Sequence, residues 1–483
     1  MPYRVGLCTL GCKVSQYETE AVSEAFESLG FTVCPFSDVC DVYVINTCTV
    51  TAESDRKSRQ FVRRAIHANP GAVVMVMGCS SQNDPEAMAR IPGVSYVIGT
   101  DGKMTVPREA LRLLSEKAAQ NAVPAPETAD EAQTAVCGTP SENTEAESAD
   151  PCHAGEALKT ASADAVKRGA ECHVTNLTEA HFEPMSITRA PRTRAYVKIE
   201  DGCECRCSYC AIPAARGAVR SKPADDVISE IRTLAAGGTR EVVLTGIEIA
   251  SWGRDLGNAG LADLLERLDR ETEGVRFRLG SLTPELLSGD FPDRVAALPS
   301  VVPHFHLSIQ SGCDTILRAM RRRYNTAQVK DGMARLRRLY PRVRFTCDLM
   351  VGFPGETDDL YRETVGFLRQ AHFMDMHIFI YSPRPDTVAA TLPGRVPADV
   401  SHARSQALAA LRDEIQLSLY RETVAAGQPI PVLFETREGG VCYGHADDYS
   451  PVRVCSDTDL HAQLHLVRPL SADGEGIVGA LSD

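Results

Sequence analysis

The chain has 483 residues, of which 43% are hydrophobic and 24% charged, and a formal net charge of −13. At roughly 100 to 200 residues per domain this length predicts two to four domains, with ample apolar material for a sizeable core. No apolar run approaches the roughly 18 residues that span a bilayer, and residues 1–10 lack the apolar stretch of a secretory signal, so the sequence predicts a cytoplasmic protein without a membrane partner.

The charge is unevenly spread. Residues 121–180 hold 11 acids and 3 bases and residues 425–483 hold 9 acids and 3 bases, which leaves the remaining 364 residues at +1. The body of the protein is therefore close to neutral and does not repel nucleic acid as a whole. The 17 cysteines form no disulfide framework in a reducing compartment, so clustered ones point to metal or redox chemistry. Cys34, Cys40, Cys313, Cys347 and Cys455 read as small buried residues.

Residues 1–115 alternate strand and helix. A strand near 3–10 precedes Ser15-Gln16-Tyr17-Glu18, which reads as a capping box at a helix start, and Gly30 ends that helix. Further strands are predicted over 41–46 and 72–77, with a helix over 53–67 between them. Such βα units predict a parallel, flavodoxin-like sheet covered by helices.

Residues 116–182 read as a disordered acidic linker. Its 121–180 stretch has no Phe, Trp or Tyr and only two Leu, too little apolar surface to offset the entropy of ordering. Cys137, Cys152 and Cys172 are widely spaced within it and read as binding nothing.

From 183 to 422, βα alternation resumes. Six strands are predicted near 196–200, 241–245, 276–280, 304–309, 344–351 and 376–381, an open (β/α)6 partial barrel with its chemistry at the strand C-terminal ends. A helix over 401–425 closes this region. Residues 423–483 are rich in β-formers and turns such as Glu438-Gly439-Gly440, and predict a small β-barrel. The fold class is α/β with this terminal barrel appended.

The sharpest chemical signal is Cys203-Glu204-Cys205-Arg206-Cys207-Ser208-Tyr209-Cys210. Cys203, Cys207 and Cys210 form a C-x3-C-x2-C run, and three thiolates on one loop can hold three irons of a cubane while leaving the fourth open to a small molecule. The competing reading is a zinc site completed from elsewhere, disfavoured because no second cysteine knuckle accompanies the first. Cys205 falls outside the spacing. Separately, Cys12, Cys48 and Cys79 each follow an N-terminal strand, and in a parallel sheet those ends open on one crevice. The residues alone allow either a second metal site there or three buried thiols. Cys8 reads as core and His67 as a surface residue.

The cysteine loop, with Tyr209 before its last cysteine and a strand before the whole, resembles that of the radical S-adenosylmethionine superfamily. The order of a three-cysteine N-terminal domain, radical barrel and terminal β-barrel is similar to the methylthiotransferases. That resemblance implies two [4Fe–4S] clusters, one on Cys12, Cys48 and Cys79 and one on Cys203, Cys207 and Cys210, the latter binding S-adenosylmethionine. It also implies an electron donor such as flavodoxin or ferredoxin, leaves the sulfur donor open, and makes the terminal barrel a TRAM domain that grips tRNA.

Within that family, Gly11-Cys12-Lys13-Val14-Ser15-Gln16-Tyr17-Glu18, Ile45-Asn46-Thr47-Cys48-Thr49-Val50-Thr51, Lys57-Ser58-Arg59-Gln60 and Tyr443-Gly444-His445 resemble the branch that methylthiolates N6-threonylcarbamoyladenosine at position 37, in the tRNA anticodon loop. Ser15 stands where that branch has asparagine. Isopentenyl-adenosine tRNA and a ribosomal-protein aspartate are the alternative substrates, and a non-catalytic iron–sulfur carrier is the alternative class.

Weaker candidates follow predicted strands. Thr245 and Gly246, the run His306-Leu307-Ser308-Ile309-Gln310-Ser311-Gly312, and the turn Gly352-Phe353-Pro354-Gly355-Glu356-Thr357 face the expected cofactor mouth, and Tyr209, Thr245, Gly246, Ser308 and Gln310 are the residues expected to line it. Two basic groups suit phosphates: Arg318, Arg321, Arg322 and Arg323 beside a stacking Tyr324, and Arg56, Lys57, Arg59, Arg63 and Arg64 on a helix. The terminal barrel's net −6 weakens phosphate attraction there unless Arg437, Arg453 and Arg468 form a local basic face.

Overall fold

A computed structural model describes residues 2–122, 169–257 and 259–482. The first sheet has six parallel strands: β1 (Arg4–Thr9), β2 (Thr32–Cys34), β3 (Val42–Thr47), β4 (Val73–Gly78), β5 (Val94–Ile98) and β6 (Glu171–His173), in the order β2-β1-β3-β4-β5-β6. β3 and β4 are buried at every position, as continuous apolar runs flanked by helices on both faces require. Those helices are α1 (Lys13–Ser28), α2 (Ala52–Ala68), the short α3 (Cys79–Asn83) and α4 (Pro85–Ala89), and α5 (Val106–Ala122). The strand order reverses between β1 and β3, and a crevice opens at their C-terminal ends where such folds place ligands.

Two expectations are corrected here. The helix following β1 begins at Lys13 with Cys12 as its cap residue and no side-chain cap, so Ser15 and Glu18 lie inside the first turns and form no capping box. Both are buried, and Glu18 serves the ion cluster described below. The acidic segment is also shorter than read: α5 runs to Ala122, and Glu171–His173 adds to the sheet edge against Tyr96–Ile98. Backbone pairing with an existing edge needs little apolar content, which is why composition missed it. Cys172 lies on that added strand; Cys137 and Cys152 lie outside the described residues.

The second unit is an open barrel of parallel strands. β7 (Ala195–Lys198), β10 (Glu241–Thr245) and β11 (Arg276–Leu279) form one arc, and β12 (Ser281–Leu282), β13 (His304–Gln310), β14 (Arg344–Val351) and β15 (Asp375–Ile380) the other. Gly280 parts β11 from β12, which continues the same chain into the second arc. β8 (Glu200–Asp201) and β9 (Arg220–Ser221) form a separate small antiparallel pair.

The long helix Ala398–Ala426 leads into a closed barrel of β16 (Ile430–Glu438), β17 (Val441–Ala446), β18 (Pro451–Cys455), β19 (Leu464–Asp473) and β20 (Gly476–Leu481). Gly444 is required inside it, because a Cβ there would sit 2.3 Å from the Leu433 carbonyl oxygen. One apolar core runs from the open barrel through this helix into the closed barrel, from Phe277 and Phe305 to Leu408, Phe434 and Ile477. Glu241 anchors the foot of the open barrel, ion-paired to Arg194, Arg276 and Arg278. Arg194 reaches on to Glu435, and Arg342 to Asp447, of the closed barrel. Cys455, read as buried, is exposed at a strand end.

Among the described residues no helix is long and apolar enough to cross a membrane.

Candidate active site

Cys203, Cys207 and Cys210 share one wall of a cavity of about 280 Å³ at the C-terminal mouth of the open barrel. Its other walls come from Ser308 and Gln310 at the end of β13, Asp348 and Met350 of β14, and Phe379 and Tyr381 at the end of β15. Val50 and Thr51 from the N-terminal sheet close the top. A larger cavity of about 900 Å³ lies elsewhere, around Met185, Lys222 and Glu230. It carries no cysteine and no convergent set of ligand atoms, so size alone does not mark the site.

The cysteine loop is built to surround sulfur. The Cys205 amide donates to Cys203 Sγ and the Ile212 amide to Cys210 Sγ, each at 3.4 Å, and Arg322 Nη1 donates to Cys207 Sγ at 3.2 Å. Burial pushes the Cys210 thiol up to about 11. A hydrogen bond with Cys205 and then burial raise Cys203, while Cys205 is drawn down to about 6 by the same bond. Three partly buried thiols facing inward, with amide and guanidinium donors aimed at their sulfurs, fit a thiolate-ligated metal cluster.

The loop is fixed at its start by Gly202, whose φ is +89° and where a Cβ would fall 1.9 Å from the Ala218 carbonyl oxygen. The next amide, of Cys203, donates to the Gly217 carbonyl at 3.0 Å. Gly202→Ala is expected to cost about 2–4 kcal/mol through strain and displacement of this loop. Denaturant unfolding together with iron content after reconstitution reads both effects; unchanged values for both would refute this account.

The structure gathers some expected residues and leaves others behind. Tyr209, Ser308 and Gln310 lie on the cavity wall. Gln310 sits at φ +62° after a register shift in β13, an uncommon conformation for a non-glycine residue that re-aims its side chain. Thr245 and Gly246 do not line the cavity. Thr245 accepts the Ile199 amide in its backbone, and Gly246 lets Glu200 approach, a Cβ there falling 2.7 Å from Glu200 Oε2. Glu200 in turn accepts the Glu248 amide at 2.7 Å, which presents Glu248 to the cavity, its carboxyl raised to about 7 by burial and then Cys205.

The basic run beside β13 divides. Arg322 turns inward, to Cys207 Sγ, to the Ser308 carbonyl at 2.8 Å and to Tyr324 at 2.9 Å. Tyr324 is buried and donates to the Ser308 and Ile309 carbonyls. Neither is available to RNA, which corrects the phosphate and stacking roles expected of them. Arg318 and Arg321 stay exposed. On α2, Arg56 and Lys57 share Glu53 and Arg59 pairs with Asp55, while Arg63 and Arg64 are exposed. In the closed barrel Arg453 is taken by Asp473 and Glu475, and Arg437 by the Ser456 and Asp457 carbonyls, so the three arginines do not form a free basic face.

Cys12, Cys48 and Cys79 each stand just beyond the C-terminal end of a strand, β1, β3 and β4. Cys12 Sγ lies 3.8 Å from Ser15 Oγ, and a Cβ on Gly11 would lie 3.6 Å from that of Cys48. Burial pushes Cys48 up to about 11, with Cys79 and Cys12 adding to the rise. Cys79 is raised by burial and restrained by Arg216, whose Nε donates to its sulfur at 3.2 Å.

Arg216 ends the short helix Ile212–Arg216 that follows Cys210, so one buried guanidinium spans from the second cysteine set to the first. It is held by Glu18 at 2.5 Å and Asp201 at 3.1 Å, and Glu18 also pairs with Lys103 and Lys198. Sequence reading missed Arg216, Glu248 and the inward turn of Arg322; only Asp348, on the same face of β14 as Met350 two residues on, carried a readable periodicity signal.

An open parallel barrel in two arcs, with a three-thiol loop after its first strand, defines a radical S-adenosylmethionine enzyme. Residues 197–368 match the radical SAM superfamily and residues 4–99 the uncharacterized protein family UPF0004. The fold is similar to the radical S-adenosylmethionine methyltransferase TsrM of Kitasatospora setae, with a TM-score of 0.52 and 16% identity over 81% of this chain and 77% of that one. The chain is 33% identical to the threonylcarbamoyladenosine tRNA methylthiotransferase MtaB of Bacillus subtilis, over 97% of this chain and 94% of that protein. A tRNA-2-methylthio-N(6)-dimethylallyladenosine synthase of Akkermansia muciniphila is 30% identical over 98% of this chain and 97% of its own. The chain belongs to the MtaB-like family of radical S-adenosylmethionine methylthiotransferases, a membership that implies a [4Fe–4S] cluster and S-adenosylmethionine.

Proposed function

We propose that this enzyme places a methylthio group on C2 of N6-threonylcarbamoyladenosine at position 37 of tRNA. The observation that carries this reading is the pairing of two three-cysteine sets, one on the wall of the barrel cavity and the other at the crevice whose Val50–Thr51 edge roofs it. Relatives named for this reaction match over nearly the whole chain.

Cys203, Cys207 and Cys210 would hold one [4Fe–4S] cluster and Cys12, Cys48 and Cys79 the second. When bound, the first supplies the electron that cleaves S-adenosylmethionine to a carbon radical, and the second supplies the sulfur. The protein's own residues position and enclose. Tyr209, Ser308 and Gln310 shape the cofactor cavity, Phe379 and Met350 present an apolar wall for the adenine, and Arg384 ties the barrel rim to Thr49 Oγ1 at 2.6 Å, next to Cys48. Glu248 is placed to accept from the cofactor's amino group or ribose. The flipped anticodon-loop base enters past Thr51, with exposed Arg63, Arg64, Arg318 and Arg321 near neutral surroundings as phosphate contacts. A small electron-transfer protein, flavodoxin or ferredoxin, completes the partners; the work takes place in the cytoplasm.

Mass spectrometry of tRNA nucleosides from cells with and without this gene tests the reading. The 2-methylthio-N6-threonylcarbamoyladenosine signal is expected to vanish in the deletion and return with the wild-type gene. Its persistence would sink the assignment and turn the search to dimethylallyladenosine and to ribosomal-protein aspartate.

A further inference from the structure

Beside the cysteine cavity the barrel carries a second set of ligand-type side chains that the chemistry above leaves unused. Asp348 of β14 is the register partner of His377 of β15, and Thr346, two residues earlier on β14, is the partner of His306 of β13. The two-residue alternation of a strand therefore turns His306, Asp348 and His377 to one side of the sheet. His306 Nε2 lies 3.2 Å from Asp348 Oδ2 and His377 Nδ1 lies 3.2 Å from Asp348 Oδ1, with the two ring centroids 5.2 Å apart. The three ligand atoms all fall within 4.8 Å of one another.

Those separations have a chemical meaning. Two bonds of about 2.1 Å to one divalent ion hold their outer atoms about 3.0 Å apart at an octahedral angle and about 3.4 Å apart at a tetrahedral one. The 3.2 Å contacts here lie between the two values. The far side of each ring is supported as well: His306 Nδ1 is 2.8 Å from Thr346 Oγ1, and His377 Nε2 is 3.9 Å from Asp375 Oδ2. Each imidazole can thus keep its proton on the nitrogen turned away from Asp348 and offer a lone pair on the nitrogen turned toward it. Ser308 Oγ donates to Asp348 Oδ2 at 3.3 Å. Oxygen acceptors behind both histidines and a donor on the carboxylate are the outer support that metal-ligating side chains require. A hydrogen-bonded tie between strands needs one carboxylate on His377, whereas two face it.

We infer that His306, Asp348 and His377 form a binding site for a divalent first-row metal ion, separate from both cysteine sets. Two imidazoles and one carboxylate suit Mn2+, Fe2+ or Zn2+ and leave coordination positions open, whereas soft thiolates select iron–sulfur clusters. Access is graded: the side chain of His377 is 56% exposed, against 20% for Asp348 and 9% for His306. The ion enters past His377 and is held from behind by the other two. Asp348 also lines the cavity that carries Cys203, Cys207 and Cys210, so an oxygen or nitrogen donor of a molecule bound there is the ligand class for the open positions. The inference goes beyond the proposed tRNA reaction and does not depend on which substrate the enzyme modifies.

The test is a titration of the reconstituted full chain with Mn2+, followed by the electron paramagnetic resonance signal of the free ion while the clusters are in their diamagnetic oxidised state. Mn2+ is chosen because it prefers imidazole and carboxylate to thiolate. Wild type is expected to bind about one Mn2+ per chain saturably, and His377→Gln and Asp348→Asn each to weaken that binding by at least about tenfold with iron content unchanged. Thr346→Val, which removes the acceptor behind His306, should weaken it by about tenfold. Should Asp348→Asn fail to fold, His377→Gln decides, since its side chain is more than half exposed. No saturable Mn2+ binding by wild type, or the same affinity in His377→Gln, overturns the site and leaves the three side chains as a hydrogen-bonded tie between strands.

Discussion

Cys207→Ala and Cys79→Ala are expected to separate the two halves of the reaction. In Cys207→Ala, reductive cleavage of S-adenosylmethionine and methylthio transfer should both fall by at least about three orders of magnitude, because an essential ligand rather than a tuning contact is removed. In Cys79→Ala, transfer should fall as far while cleavage persists within about fivefold. The geometry dictates the difference: Cys207 lies on the cavity wall with Arg322 on its sulfur, whereas Cys12, Cys48 and Cys79 contribute nothing to that wall. Paired measurement of 5′-deoxyadenosine and methylthiolated product checks this. Loss of cleavage in Cys79→Ala, with iron at the barrel loop intact, would mean that the two cysteine sets act as one unit.

The architecture was legible because its signals are periodic. β3 and β4 are largely apolar and buried throughout, strands and helices alternate along the barrel, and the turn-rich end closes as a five-stranded barrel. The barrel-loop cysteines were legible because they sit close together after a strand, and the fold sets all three on one cavity wall; Cys12, Cys48 and Cys79 were legible as residues that each follow a strand of the parallel sheet. What could not be read was the side of an element on which a charge falls when burial and charge oppose one another. Arg322 sits in a run of three arginines that resembles a phosphate-binding surface, yet its neighbours Arg321 and Arg323 face solvent while it turns to Cys207. Ser15 and Glu18 carry the spacing of a helix cap, but the helix begins earlier, and the partners of Glu18 come from residues 85 to 198 positions away. A pattern that spans four residues holds no information about such partners.

Glu18 is the clearest case and gives the largest expected stability effect. Its carboxylate is fully buried where α1 meets the barrel, surrounded by Lys103, Lys198 and Arg216. Burial works to raise it, but Arg216, Lys103 and Lys198 together hold it well below the ordinary carboxylate range. Asp201, which shares Lys198 and Arg216, is held at about 2 by the same cations against its own burial. Glu18→Gln leaves three buried cations with one carboxylate among them and is expected to cost about 3–5 kcal/mol. Because the folded-state values are depressed, the stabilisation is complete above the unfolded value near 4.5 and is lost as pH falls toward 2. Wild type should therefore lose stability steeply across that window, and Glu18→Gln should show a shallower slope from a lower starting point. Denaturant midpoints between pH 7 and pH 3 decide the matter. A Glu18→Gln chain as stable as wild type at pH 7 would mean that the cations are neutralised by other means. A further consequence concerns Arg216, which loses its shortest partner in that variant while still donating to Cys79. Weakened iron retention at the N-terminal cysteines, measured on the folded fraction, is the expected accompaniment, since the guanidinium that orients Cys79 is then held by Asp201 alone.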